Sequence, residues 1–141
     1  MIKPGISLDI LNQSSKNTMV EHLGIVYTEV GRDFIRAKMP VDERTHQPHG
    51  VLHGGASVAL AETLGSVAAN LSVDNKKFYC VGLEINSNHI RSIRKGWVYG
   101  TASPIHIGRT TQIWEIRINN EEQQLVNISR LTLAVLKNQN A

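Results

Sequence analysis

Between Arg44 and Asp74 the chain carries one formal charge, Glu62, in the middle of its most apolar stretch. A lone carboxylate among aliphatic neighbours costs several kcal/mol unless it is paired, neutralised or used. Ser66 lies four positions on and Ala59 three back, so on a helix they share its face. Eight residues before Glu62, the run His53-Gly54-Gly55-Ala56 opens the same stretch. The first N–H groups of a helix lack internal partners and sit at the positive end of its dipole. Two glycines there let a ligand approach the backbone. Donors of that kind stabilise negative charge developing on a carbonyl oxygen, and a carboxylate serves as base or nucleophile. The plain alternatives are a glutamate in a solvated groove and a glycine pair that only turns the chain into the helix.

Spacing adds a constraint. Gly54 and Glu62 stand about 12 Å apart along one helix, too far to act on one carbonyl carbon. If both serve one substrate, Glu62 must come from a second subunit. Two helices antiparallel about a two-fold axis would then create two shared sites in an obligate dimer.

Other chemistries fit less well. His46, His49 and His53 cluster in a loop with no accompanying carboxylate or cysteine, unlike helical HExxH, so no metal site is expected. No GxSxG elbow, GxGxxG turn or Walker loop occurs, and Cys80 reads as a small core residue. His89, Arg91, Arg94 and Lys95 form one basic patch, and His106 to Thr111 a second. Each reads as solvated loop charge or, with the other, as a phosphate grip.

The elements that must position these groups follow from caps and periodicity. Residues 7 to 13 read as a short helix with Ser7 as N-cap. Residues 19 to 23 read as another, with Thr18 and Glu21 at capping-box spacing and Gly24 after its end. Residues 25–30 and 34–39 form a hairpin, and 40–52 a loop broken by Pro40 and Pro48. Residues 54–73 make one long helix, apolar on all sides and therefore expected to be buried. On it, Thr63, Val67, Ala68 and Leu71 are candidates for a pocket wall. Four strands follow at 78–90, 96–106, 110–119 and 123–136. Trp114, Ile116 and Ile118 alternate with Glu115 and Arg117, a half-buried pattern. Leu125, Leu131, Leu133 and Val135 share one face of the last strand. The order predicts an α+β fold: a hairpin, a central helix, and an antiparallel meander wrapped around it.

Size and composition set the frame. The 141 residues suit a single domain over 1–141, too short for an α/β-hydrolase, a TIM barrel or a two-domain dehydrogenase. Apolar residues are 41% and charged residues 19%, typical of a globular chain. With 5% aromatics and a net charge of +3, nucleic acid is not an expected partner. One cysteine excludes a disulfide framework, and no signal peptide or membrane span is evident, so a cytoplasmic setting is expected.

The runs Met39-Pro40-Val41-Asp42, Arg44-Thr45, Gln47-Pro48, Gly50 to Ser57, Leu60-Ala61-Glu62 and Gly65-Ser66-Val67 together resemble the hotdog-fold acyl-CoA thioesterases. Val81 to Asn86 with Asn88-His89 and Arg91 is similar to the PaaI-like branch. That branch holds 1,4-dihydroxy-2-naphthoyl-CoA hydrolase and the enterobactin-pathway proofreading thioesterase, and is akin to Arthrobacter-type 4-hydroxybenzoyl-CoA thioesterases. The resemblance covers nearly the whole chain and implies a hotdog fold. It implies that Glu62 is the catalytic carboxylate and that Gly54 gives the backbone donor to the thioester oxygen. Gln47 and His53 would position carbonyl and water, and Ser66 would help hold the water. Gly82, His89, Ile90, Arg91 and Ser92, with His106, Ile107, Gly108, Arg109, Thr110 and Thr111, would form the coenzyme A surface. It further implies a homotetramer built from two dimers and no cofactor beyond the coenzyme A of the substrate. Residues 74–80, leading into the strand beside the acyl pocket, depart most from the family pattern and bear on acyl preference. The alternatives are a hotdog dehydratase or hydratase, with His53 and Glu62 as acid–base pair, and a non-catalytic acyl-CoA sensor.

Overall fold

The computed structural model describes residues 1–139. Two short helices, α1 (Leu8–Ser14) and α2 (Met19–His22), precede strands β1 (Val26–Val30) and β2 (Ile35–Val41). The long helix α3 (Gly54–Leu71) follows, and then β3 (Phe78–His89), β4 (Gly96–Ile107), β5 (Thr111–Asn119) and β6 (Leu125–Lys137). The six strands form one antiparallel sheet in the order β1-β2-β4-β5-β6-β3, with α3 packed against one face.

Local signals place most ends. Ser7 caps α1, its Oγ accepting from Ile10 N at 3.4 Å. The capping box at α2 does not form. Thr18 Oγ1 donates to the Ser15 carbonyl instead, and Glu21 accepts from the N–H of Asn17, whose φ of 59° swings that group into reach. Strand β2 runs through Pro40 to Val41 rather than stopping at residue 39. The β1 partner has ended opposite Lys38, so beyond it β2 is paired on one side only, where a proline is tolerated.

Two larger expectations change. The last four strands are not a sequential meander: β3 pairs with β6 at the far edge, and only β4-β5-β6 meander. Segment 90–95 carries the chain from that edge to β4, passing the start of α3, where the Ile93 carbonyl accepts from Leu52 N at 2.7 Å. Nor is α3 buried on all sides. Leu60, Ala61, Leu64, Gly65, Ala68 and Ala69 are buried against the sheet, while Val58, Ala59, Glu62, Thr63, Ser66, Val67 and Asn70 are half-exposed. One sheet covers one face of a helix, and the small residues opposite stay open. Glu62 therefore lies at the edge of the protomer's core, not inside it.

The core centres on Trp114, Ile116, Ile118, Leu131 and Leu133 under α3. Trp114 Nε1 donates to Gln112 Oε1 at 2.9 Å, and Gln112 Nε2 donates to Ser72 Oγ at 3.0 Å, so the buried polar groups are paired. Gly65 sets how close the helix sits. A Cβ there would stand 2.6 Å from Leu131 Cδ2 and 3.3 Å from Ile116 Cδ1. Gly65→Ala should lower unfolding free energy by about 1–3 kcal/mol through overpacking, read as a lower denaturant midpoint at unchanged slope.

Candidate active site

The start of α3 is built by the loop before it. Thr45 Oγ1 donates to the Pro40 carbonyl at 2.7 Å, and His53 N donates to the Thr45 carbonyl at 2.8 Å. Asp42 clasps Arg44 through both oxygens, and the bond to that guanidinium holds its carboxyl below the usual range. Gly50, at φ 71°, turns the loop, and Gly50 N donates to the Gln47 carbonyl at 2.9 Å. Gln47 Oε1 accepts from His49 N, which leaves its amide nitrogen as the end available to donate. His46 Nε2 donates to the Arg94 carbonyl at 2.8 Å.

His53 is the N-cap of α3, and its Nδ1 accepts from Gly55 N at 2.7 Å. Ala56 N and Ser57 N donate to the His53 carbonyl at 3.0 and 3.2 Å. The cap therefore uses the N–H groups of residues 55, 56 and 57. Gly54 N–H is left without a partner among the described residues, at the positive end of an 18-residue helix. It opens on a cleft of about 250 Å³ shared with Leu52, Ser57, His89, Arg91 and Ser92. His89 lies across this mouth: a Cβ on Gly54 would stand 2.8 Å from His89 Cε1.

Glu62 occupies a second locality, on the open face of α3. Ser66 Oγ donates to its Oε1 at 3.1 Å. The carboxylate rests against the backbone of Gly82 on β3, where a Cβ would stand 2.7 Å from Oε1. Gly82 sits at a bulge, opposite Leu133, and its missing side chain makes the seat. Thr63 and Val67 lie on this open face, whereas Ala68 is fully buried beneath the sheet and cannot line a pocket there. Leu71 is half-buried at the helix end. Farther along, Asn70 Oδ1 accepts from Cys80 N at 2.8 Å and Asn70 Nδ2 donates to the Cys80 carbonyl at 3.1 Å, pinning β3 to α3. Cys80 is buried, its Sγ 3.6 Å from the Ala69 carbonyl, and burial pushes the thiol's pKa up.

The residues expected to grip coenzyme A fall in three places. His89, Ile90, Arg91 and Ser92 line the cleft beside Gly54, and Gly82 belongs to the seat of Glu62. The stretch from His106 to Thr111 lies at the other end of α3. There Ile107, Gly108, Arg109 and Thr110 share a cleft of about 530 Å³ with Val73, Phe78, Val135 and Lys137. That end is about 27 Å from Gly54, the length of α3. One protomer does not bring the two basic patches together, because β4–β5 turns and the β3 end fall at opposite ends of the sheet.

Two inward polar residues were not singled out from sequence. Asn127 and Ser129 are buried on the same face of β6 as Leu131 and Leu133. Their signal is a pair of polar residues at core parity in an alternating strand.

Among the described residues, no three His, Cys, Asp or Glu side chains converge as metal ligands, and no helix is long and apolar enough to cross a membrane.

Known proteins resemble this chain in sequence and fold. Residues 49–127 match the profile of the thioesterase superfamily. The proofreading thioesterase EntH of Cronobacter sakazakii is 52% identical over 134 residues, 95% of this chain and 97% of that one. The crystal structure of a Haemophilus influenzae thioesterase superposes with a TM-score of 0.93 at 51% identity, covering 96% of this chain and 94% of that one. Two structures of a Staphylococcus aureus thioesterase superpose with TM-scores of 0.82 and 0.80 at 38% identity, covering 85% and 83% of this chain and 99% and 97% of that one. One has alanine in place of a glutamate and the other alanine in place of a glutamine, fifteen positions apart.

Proposed function

The chain belongs to the thioesterase superfamily as a hotdog-fold thioesterase of the PaaI-like branch, and from that premise we propose that it hydrolyses an acyl-CoA thioester, aromatic or medium-chain, in a site shared by two protomers. The observation that carries this reading is the division of labour along α3. The free amide of Gly54 opens on a cleft whose lining includes no carboxylate, and Glu62 waits eight residues away on a half-open face. A second copy with its helix antiparallel would set Glu62 of one protomer against Gly54 of the other. The same packing would bring the His106–Thr111 stretch of one protomer toward Arg91 of its partner, giving the phosphates of coenzyme A two basic walls. Exposed Val81 and Leu83 on the edge strand β3 support pairing with a second copy. A homotetramer would be two such dimers.

In this mechanism Gly54 N–H holds the carbonyl oxygen and stabilises the charge that develops on it, by about 3 kcal/mol for a donor of this kind. Gln47, through its amide nitrogen, orients the carbonyl or the attacking water. His53 fixes the helix start by occupying the Gly55 N–H. Glu62, steadied by Ser66, attacks or takes a proton from water, and the thiolate leaves. Gln47 and Glu62 are themselves fifteen positions apart, the interval replaced in the Staphylococcus aureus relative. The substrate brings its own coenzyme A, and no other cofactor enters. A cytoplasmic site of action accords with the single buried thiol.

The test is thiol release from a small panel of acyl-CoA thioesters. Release with free acid formed is the expected result. Loss of an enoyl-thioester absorbance without thiol release would mean hydration instead, and binding without turnover would mean a sensor. Gly82→Ala probes the carboxylate's seat. The new methyl is crowded by the mobile end of Glu62 and meets Leu131 Cδ1 at an ordinary 3.9 Å, so stability should change by less than about 0.5 kcal/mol. Turnover should fall by about 10–100-fold, because misplacing a reacting group by 1 Å can cost that much. Steady-state rates with a melting curve on one sample check both halves.

A further inference from the structure

Beside the cleft lies a closed polar network that the mechanism above does not use. Asn127 is fully buried. Its Oδ1 accepts from Ser129 Oγ at 2.8 Å, and its Nδ2 donates to Ser87 Oγ at 2.7 Å. The two hydroxyls are 2.8 Å apart, and since the Ser129 proton goes to Asn127, Ser87 donates between them. The second Nδ2 proton of Asn127 points at His89 Nδ1, 3.1 Å away. Nδ1 must therefore accept, which puts the hydrogen of the neutral ring on Nε2.

That nitrogen lies against the start of α3. Nε2 would stand 2.9 Å from a Cβ on Gly54. An ideal Cβ lies about 2.5 Å from its own backbone nitrogen, so Gly54 N and His89 Nε2 are at most about 5.4 Å apart. One oxygen accepting at about 2.9 Å from each can bridge up to about 5.8 Å. The separation of the two nitrogens therefore leaves room for one oxygen between them.

We propose that His89 supplies a second hydrogen bond to the thioester oxygen beside Gly54, and that buried Asn127, with Ser87 and Ser129, is the positioning residue that fixes its tautomer. This rests on the thioesterase reading above. It assigns His89 a task at the reacting carbonyl rather than on the coenzyme A chain. A ring held from behind by a buried amide is already oriented when charge develops, which is what makes such a donor effective.

The experiment compares an acyl-CoA with the same acyl group on N-acetylcysteamine, which lacks the nucleotide. His89→Ala should lower kcat about 100-fold on both substrates, and His89→Gln, which restores an N–H, should recover part of it. Loss confined to the acyl-CoA and expressed in KM would overturn the proposal in favour of a coenzyme A contact. Nitrogen NMR of ring-labelled protein should find His89 Nδ1 unprotonated and Nε2 protonated. The opposite tautomer would overturn the role of Asn127 without any variant being needed. Asn127→Leu should erase the tautomer preference and lower kcat about tenfold at unchanged KM; unchanged kcat would count against it. Glu62→Gln, run alongside, separates the two readings: if it retains activity, the thioesterase mechanism itself fails, whatever His89 does.

Discussion

Glu62→Gln should reduce thioester hydrolysis by about 10³-fold or more, the range lost when a positioned base or nucleophile is removed. The variant should fold as the parent does. Glutamine keeps the volume of the side chain and an oxygen to accept from Ser66 Oγ, the one hydrogen bond the carboxylate makes to a side chain among the described residues. It also fits the Gly82 seat, which is shaped by the absence of a Cβ and not by charge pairing. What it removes is the negative charge and the lone pair that attacks or accepts a proton. Near-parental thiol release by the purified variant would end the assignment. In the parent enzyme, a single turnover in isotopically labelled water reports which carbon water attacks. Label appearing in Glu62 marks an acyl-enzyme anhydride opened at the glutamyl carbon, and label only in the product marks attack of water on the acyl carbon.

The second large effect is a recovery. Gly54→Pro should be nearly inactive because it removes the N–H that the cap leaves free. A proline suits the first helical position, and His53, at φ −67° and ψ 131°, already has the conformation a residue before proline prefers. The ring of His89, an exposed residue, must shift to admit it. Neither Gly54→Pro nor Glu62→Gln should work alone. If Glu62 of one protomer serves Gly54 of the other, a mixed dimer holds one site with both defects and one site with neither. Random reassociation of equal amounts should then restore about a quarter of parental activity per chain in the whole mixture, and about half in the isolated mixed dimers. If each site lies within a protomer, every site in the mixture stays defective and nothing returns. Co-refolding or co-expression with two affinity tags, followed by thiol-release assays on the doubly tagged fraction, decides it.

How much of this was legible beforehand differs from residue to residue. The helix start could be read because its signals are local: two glycines followed by a long apolar run. The same holds for Glu62, whose isolation among uncharged residues from 45 to 73 is visible without any coordinates. The predicted burial of α3 on all sides failed because composition reports which residues avoid water. It does not report whether the cover is the chain's own sheet or a second copy. The meander failed for a related reason. Four strands in succession satisfy the same alternation whether β3 lies beside β4 or beside β6, and the choice is made by pairing between residues such as Cys80 and Val135, far apart in the chain.

By itself the sequence determined the family, the α+β order of elements, the start of the long helix at the Gly54-Gly55 pair and the candidacy of Gly54 and Glu62, because turn signals, periodicity and isolated charge act over a few residues. Only the tertiary structure decided that Gly82 seats the carboxylate, that Asn127 reaches His89 at the mouth beside Gly54, and that the 106–111 turn stands at the far end of the helix. Each of those depends on sheet register between distant strands. A shift of one residue in that register would turn Asn127 to the opposite face of the sheet and leave His89 without its partner.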